Sequence, residues 1–110
     1  MSTEWIELTG STFDDETRSG VSLVFFWDPY ESRCRKEWEI ITKATHDLGK
    51  DLKIGRCNVE NSPTLAEQFT IRSIPTTILM KNGKEVERLA GLRHEGTLVR
   101  HIAKYLGRED

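Results

Sequence analysis

The sequence predicts an α/β fold in which helices cover a central mixed sheet. Strand-like and helix-like apolar periodicities alternate along the chain in the order β-α-β-α-β-α-β-β-α. The segment Val21–Trp27 is a continuous apolar run with one serine, which is typical of a strand buried on both faces. The pair Asn82-Gly83 between two strand-like segments is a strong signal for a tight hairpin. Together these patterns predict parallel pairing through helical crossovers, then an antiparallel hairpin and a covering helix.

Two strands and two helices are expected in the first half. In order they are a short strand at Trp5, Ile6 and Leu8, a brief acidic helix over Phe13–Ser19, the strand Val21–Trp27, and a helix that runs to about Leu48. Ser11 or Thr12 can cap the acidic helix, and Gly20 ends it. Gly49 is the natural C-terminal residue of the longer helix.

Three strands and two helices are expected in the second half. In order they are a strand over Leu52–Val59, a helix over Thr64–Phe69, the strands Thr76–Met80 and Glu85–Ala90, and a helix from about Glu95 to Leu106. Asn61-Ser62-Pro63 opens the first of these helices with a cap residue followed by a proline. The total is about five strands and four helices.

Length and charge narrow the classes of function. The 110 residues fit one compact domain, residues 1–110, and the net charge of −2 leaves no basic excess for nucleic acid or a membrane surface. No apolar run is long enough to span a bilayer, and Met1-Ser2-Thr3-Glu4-Trp5 lacks the features of a signal peptide. A cytoplasmic protein is therefore expected. Two cysteines are too few for a disulfide framework or a cysteine-built zinc site.

Four motifs in register resemble the thioredoxin family. They are Phe26-Trp27-Asp28-Pro29-Tyr30, Ile71-Arg72-Ser73-Ile74-Pro75-Thr76, Lys81-Asn82-Gly83 and Ala90-Gly91. The resemblance covers almost the whole chain, from about Trp5 to Leu106. It implies the thioredoxin fold, a central mixed sheet of about five strands flanked by four helices.

The segment that matches the family's active site departs from it. Where thioredoxins have Cys-Gly-Pro-Cys, this chain has Glu31-Ser32-Arg33-Cys34. By the resemblance, Glu31 stands at the attacking cysteine and Cys34 at the resolving one. Phe25 occupies the position of the family's buried aspartate, and Glu39 that of a proline in the second helix. Ordinary two-cysteine turnover is excluded, because a carboxylate is no nucleophile toward disulfides.

Glu31 and Cys34 each allow two interpretations. In the sequence Asp28-Pro29-Tyr30-Glu31, the glutamate fits the third residue of a helix capped by Asp28, or it shapes a binding site. Cys34 lies between two arginines that favour its thiolate, and it is the candidate catalytic residue of a monothiol reaction. The alternative is a semi-buried thiol too hidden to react quickly.

Strand alternation places Cys57 and Arg56 on opposite faces of the sheet. Cys57 is interpreted as a small buried hydrophobe, and no disulfide with Cys34 is expected. By the resemblance, Arg56 lies behind the active site, where the family often has a lysine beside its buried aspartate. Because Phe25 replaces that aspartate, the arginine needs another partner, and the hypothesis is an ion pair with Glu39.

The resemblance also implies a peptide-binding groove beside a cis proline, Pro75. In this fold the loop exposes the backbone edge of Ile74 to an extended peptide, which adds like a strand. The expected lining residues of this groove are Trp27, Tyr30, Ile74, Pro75, Gly91 and Leu92. Retention of Pro75 for folding alone is the other interpretation.

Two hypotheses of function follow. The first is an adaptor, assembly factor or chaperone that binds protein or peptide clients in the groove. The second is a monothiol oxidoreductase, in which Cys34 forms mixed disulfides that a separate reductant resolves. The active-site segment is similar to that of one-cysteine bacterial chaperedoxins, although their helical-repeat region is missing here. The dispersed histidines His46, His94 and His101 indicate no metal site, no cofactor is expected, and a monomer is favoured with a dimer left open.

Overall fold

A computed structural model describes residues 4–48 and 51–108. Within these residues the chain forms five strands and four helices. They are β1 (Ile6–Glu7), α1 (Phe13–Thr17), β2 (Val21–Trp27), α2 (Ser32–Thr45), β3 (Leu52–Asn58), α3 (Pro63–Gln68), β4 (Thr76–Lys81), β5 (Lys84–Ala90) and α4 (Glu95–Leu106). The predicted order of elements is confirmed, with ends that differ by a few residues. The expected cap at Gly49 lies outside the described residues.

The sheet is mixed and has the order β1-β3-β2-β4-β5. Strand β2 lies at its centre, parallel to β3 and antiparallel to β4. All residues of β2 except Trp27 are buried, as expected of a strand covered on both faces. The active-site segment follows β2 directly, so the centre of the sheet fixes where that segment begins.

Two hydrophobic clusters of the described residues cover the two faces of this sheet. The cluster beneath α2 and α4 contains Phe25, Cys34, Ile41, Leu98 and Ile102. The cluster beneath α1 and α3 contains Phe13, Val24, Phe26, Cys57 and Leu65. Because successive residues of a strand point to opposite faces, Phe25 and Phe26 belong to different clusters. Cys34, in the segment that matches the family's active site, lies on the side of α2 and α4.

The hairpin between β4 and β5 turns at Asn82-Gly83, as predicted. Both residues have positive φ, 51° and 84°, which a type I′ turn requires. Asn82 also accepts the Gly20 N–H on its Oδ1 at 2.8 Å, so the hairpin tip is joined to the segment before β2. This contact ties the β4–β5 hairpin to the strand that leads into the active-site segment.

Candidate active site and peptide groove

The N-cap of helix α2 is Glu31, three residues later than the Asp28 cap of the capping interpretation. Glu31 has extended backbone angles, φ −105° and ψ 110°, and its side chain accepts the N–H of Arg33 as the N-cap. Asp28 instead closes the preceding turn, since its Oδ1 accepts the Tyr30 N–H at 2.8 Å and its carbonyl accepts the Glu31 N–H at 3.1 Å. The prediction of Asp28 as N-cap is therefore wrong, because the extended Glu31 separates that turn from the helix.

Arg33 joins the start of α2 to the loop before β4. Its Nε and Nη2 donate to the Glu31 carboxylate at 3.1 and 3.2 Å, and Nη2 also donates to the Ile74 carbonyl at 3.2 Å. The hydrogen bonds that Glu31 accepts from the side chain and the backbone N–H of Arg33 lower its pKa below the ordinary value, so the carboxylate is charged at neutral pH. Glu31 is thus a helix-start residue, and through Arg33 it also contacts the loop before β4.

Cys34 is a buried thiol. Its residue is 3% exposed, within the cluster beneath α2. Burial raises the pKa of the thiol, and the carboxylates of Glu31 and Asp28 raise it further, while a backbone hydrogen bond from Asp28 and the charge of Arg33 lower it. The net result is a pKa above the ordinary value, which disfavours the thiolate. This environment matches the semi-buried interpretation of Cys34.

The predicted groove residues are joined partly by backbone contacts. The Ile74–Pro75 peptide bond is cis. The Pro75 carbonyl accepts the Gly91 N–H at 2.8 Å, which brings the loop before β4 and the segment after β5 together. Pro75 itself is buried, and Trp27, Ile74 and Gly91 are partly buried. Tyr30 and Leu92, which are 87% and 41% exposed, supply the accessible apolar surface.

Arg56 forms no ion pair with Glu39 within the part of the chain that the structure describes, so that hypothesis is wrong. Its guanidinium carbon lies instead over three indole rings, 4.5 Å from the ring centre of Trp5, 4.4 Å from that of Trp27 and 4.5 Å from that of Trp38. Consecutive residues of a helix point about 100° apart, so a Trp38 that faces Arg56 leaves Glu39 facing solvent. The tryptophans replace the missing carboxylate by cation–π contact.

Phe25 and Cys57 have packing roles. Phe25 is fully buried, and its ring lies 5.5 Å from that of Trp38, so the position of the family's aspartate is part of the hydrophobic core. Cys57 is buried on the opposite face of the sheet from Cys34, and both thiols are free. Burial raises the pKa of Cys57 to about 12, as expected of a cysteine that serves as a small hydrophobe.

Glu37 is a site residue that the sequence reasoning missed. It is fully buried in α2, and its Oε1 accepts the Arg93 N–H at 3.0 Å in the segment after Leu92. Burial raises the pKa of this carboxyl group, although the Arg93 N–H and the charges of Arg93 and His94 lower it. The signal was available, since Glu37 follows Cys34 by three residues and therefore shares its buried helix face.

A cavity lies near the predicted groove, and the described residues meet neither the requirements of a metal site nor those of a membrane-spanning helix. An open cavity of about 610 Å³ is lined by Phe69, Arg72, Ser73, Glu85 and Arg88, among others, and by none of the predicted groove residues, so it is distinct from the predicted groove. Across residues 4–48 and 51–108, no three histidine, cysteine or acidic side chains are grouped so that they could hold a metal ion. No helix among those residues is long and apolar enough to cross a membrane.

The fold and the geometry define the class of protein: a thioredoxin-fold domain in which the start of α2 contacts a cis-proline loop. Solved structures of thioredoxins have the same fold. The thioredoxin of Malassezia sympodialis superimposes with a TM-score of 0.83 over 94% of this chain and 91% of its own, at 20% identity. A thioredoxin variant from Halobacterium salinarum gives a TM-score of 0.85 over the same shares, at 25% identity.

The chain belongs to the thioredoxin family. The thioredoxin family model matches residues 4–104. The thioredoxin of Staphylococcus saprophyticus is 32% identical over 92% of this chain and 97% of its own length, and that of Listeria monocytogenes is 33% identical over 91% and 97%. Membership in this family suggests thiol–disulfide oxidoreductase chemistry, and these relatives give no support to a non-redox adaptor role.

Proposed function

We propose that this thioredoxin-family domain binds extended peptide segments of protein clients in its groove and lacks dithiol turnover. The observation that carries the proposal is the pairing of a retained backbone platform with a missing nucleophile. The Pro75 carbonyl and the Gly91 N–H hold the two sides of the platform together at 2.8 Å. Glu31 occupies the position of the attacking cysteine and caps α2.

The chemistry of the thiols supports this proposal. Two-cysteine exchange needs an accessible thiolate that attacks and a second thiol that resolves the mixed disulfide. The structure offers a carboxylate at the first position and a buried thiol with a raised pKa at the second. Support for client binding thus comes from the geometry of the groove, whereas the relatives support redox chemistry.

A binding experiment tests the groove. An uncharged, cysteine-free nine-residue peptide is selected by phage display against the wild-type protein, labelled with a fluorophore and titrated by fluorescence anisotropy. Tyr30→Ser and Leu92→Ser each remove exposed apolar surface from the groove, and we expect either to weaken binding about threefold to tenfold. Val99→Ser is the matched control, because Val99 is 43% exposed on α4. Equal affinities for all three variants and the wild type would overturn the proposal.

A second candidate function is monothiol exchange through Cys34, which the family membership favours. The Cys34 thiolate would attack the glutathione sulfur of a client–glutathione mixed disulfide. A Cys34–glutathione disulfide forms and the client thiolate leaves, taking a proton from water. A second glutathione thiolate then attacks, releasing glutathione disulfide and the Cys34 thiolate. The backbone hydrogen bond from Asp28 and the charge of Arg33 are the local features that favour this thiolate.

Two assays separate the candidates. Insulin-disulfide reduction by dithiothreitol is measured with the wild type and Cys34→Ser, and we expect both to remain at the uncatalysed rate. Robust insulin reduction by the wild type would overturn the absence of dithiol turnover. Deglutathionylation of a model peptide is measured beside it, and a rate that depends on Cys34 would establish the monothiol reaction. A rate equal in wild type and Cys34→Ser would remove that candidate.

A further inference from the structure

Three consecutive carbonyl groups in the loop before β4 are hydrogen-bonded in different ways. The Ser73 carbonyl accepts the Thr76 hydroxyl at 2.6 Å, and the Pro75 carbonyl accepts the Gly91 N–H at 2.8 Å. The Ile74 carbonyl between them accepts Nη2 of Arg33 at 3.2 Å. The two outer bonds come from Thr76 at the start of β4 and from Gly91 directly after β5, whereas the middle acceptor is covered by an exposed side chain.

Arg33 is held in this position by Glu31. Two nitrogens of the guanidinium group face the two carboxylate oxygens at 3.1 and 3.2 Å, the two-point geometry that arginine forms with carboxylates. Glu31 is fixed in turn, because the same carboxylate accepts the backbone N–H of Arg33 at 3.1 Å. We refer to these two side chains and their bond to the Ile74 carbonyl as the clasp.

We propose that the clasp is a displaceable gate on the peptide groove, which makes Arg33 a residue that tunes client affinity. This inference rests on the proposed function. A peptide that adds as a strand donates a backbone N–H to the carbonyl of the loop. At Ile74 the Nη2 group of Arg33 already donates to that carbonyl, so the client N–H competes with Arg33 for the acceptor. The Arg33 side chain thus competes with the client for the Ile74 carbonyl.

The contacts of the clasp indicate a weak gate. Its ion pair is exposed, and exposed pairs contribute little to stability because water and salt screen them. Removing one competing hydrogen bond should therefore raise client affinity about threefold to tenfold. The pair also weakens at about 1 M salt, so an uncharged peptide should bind the wild type more tightly there than at 0.1 M.

Anisotropy titrations with the uncharged nine-residue peptide test the gate. We expect Arg33→Ala to bind about threefold to tenfold more tightly than the wild type and to lose most of the salt dependence. Glu31→Gln, which keeps an oxygen for the helix cap but weakens the hold on Arg33, should give a smaller gain. Arg35→Ala is the matched control, since Arg35 is an exposed arginine on the other side of Cys34. It should bind like the wild type.

The failures of gate and groove are distinguishable. Wild-type binding that Arg33→Ala leaves unchanged or weakens overturns the gate alone, and the proposed function stands. Loss of binding in Tyr30→Ser and Leu92→Ser, with no gain of affinity in Arg33→Ala, likewise overturns the gate and leaves the groove. A selection that yields no peptide able to bind the wild type or Arg33→Ala overturns both.

A readout without peptide tests the clasp directly. The carbonyl ¹³C resonance of Ile74 reports on the hydrogen bond that this group accepts. We expect it to shift in Arg33→Ala and to stay at its wild-type position in Arg35→Ala. An unchanged resonance in Arg33→Ala would mean that no clasp forms in solution, and the inference would be overturned whatever the peptide titrations show.

Discussion

At the scale of single residues, Arg56 shows how a charged group is accommodated after its partner is lost. Its guanidinium lies against tryptophans from three places: Trp5 before β1, Trp27 at the end of β2 and Trp38 in α2. Burial lowers the pKa of Arg56, since the charged form loses contact with water. A flat, weakly hydrated guanidinium tolerates such a site better than an ammonium group, because it stacks on ring faces.

Arg56→Lys is therefore expected to destabilise the protein although the charge is retained. Lysine offers a compact, strongly hydrated ammonium in place of the stacking guanidinium, and we expect the free energy of unfolding to fall by about 1 kcal/mol. Urea unfolding followed by tryptophan fluorescence measures this change. The control is Arg100→Lys at an exposed position of α4, where no effect is expected. Equal stability of the two variants would contradict the tryptophan contacts.

The reactivity of Cys34 is a second property at this scale. Each unit by which a thiol pKa is raised reduces the thiolate at neutral pH about tenfold. Because the pKa of Cys34 is raised and its side chain is buried, we expect alkylation by iodoacetamide at pH 7.5 to be at least about tenfold slower than for glutathione. The alkylation rate should continue to rise at pH values at which an ordinary thiol is already fully ionised. Alkylation of the Cys34→Ser variant measures the contribution of Cys57, which is subtracted. A rate that matches glutathione would contradict the buried site.

At the scale of elements, Glu37 connects α2 with the segment that follows β5. The carboxylate accepts the Arg93 N–H, and Arg93 follows Gly91 and Leu92 of the proposed groove. Its other oxygen, Oε2, is buried with no hydrogen-bond partner among the described residues. The Glu37 carboxylate fixes the backbone of the groove wall by accepting the Arg93 N–H. Its negative charge lowers the stability of the fold, because the carboxylate is removed from water.

Two substitutions separate the charge of Glu37 from its acceptor. The raised pKa means that protonated Glu37 favours the fold, and this contribution is lost as pH rises through 4.5 and then through the raised folded value. Glu37→Gln keeps an acceptor without the charge, so its stability relative to the wild type should increase with pH across that window. Urea titrations from pH 4 to 8 measure this. A difference that is constant with pH would contradict the raised pKa.

Glu37→Leu removes the acceptor as well. We expect amide hydrogen exchange at Arg93 to become about fivefold to tenfold faster in this variant than in Glu37→Gln, since the N–H loses its bond. Exchange in β2 should be alike in the two variants if both remain folded. Equal protection of the Arg93 amide in both variants would mean that the carboxylate does not hold the groove wall.

At the scale of the whole molecule, the fold was predictable because local and long-range signals agree. The apolar run Val21–Trp27 identified the central strand, and Asn82-Gly83 identified the hairpin. The site was only partly predictable. Strand alternation placed Arg56 behind α2, but its three tryptophan partners meet through tertiary packing that no periodicity specifies. The start of α2 was misplaced because Pro29 is equally compatible with a helix and with the turn that forms.

The scaffold should support only weak disulfide exchange once a nucleophile is restored. Glu31→Cys places a thiol at the start of α2, with Cys34 three residues later. The introduced thiol can attack a disulfide, and Cys34 can resolve the product. A carboxylate that assists proton transfer is still missing, because Phe25 is a fully buried core residue. Lost acid–base assistance should leave insulin reduction about a hundredfold below that of a two-cysteine thioredoxin.

Insulin turbidity assays with Glu31→Cys, the wild type and the Glu31→Cys, Cys34→Ser double variant measure this activity. The double variant should form a mixed disulfide with insulin without turnover, which shows that Cys34 is the resolving thiol. Activity of Glu31→Cys within tenfold of a two-cysteine thioredoxin would mean that Phe25 does not limit exchange. Glu31 would then be the single change that separates this chain from dithiol catalysis. The expected weak activity instead places the loss of chemistry in the core of the sheet as well as at its surface.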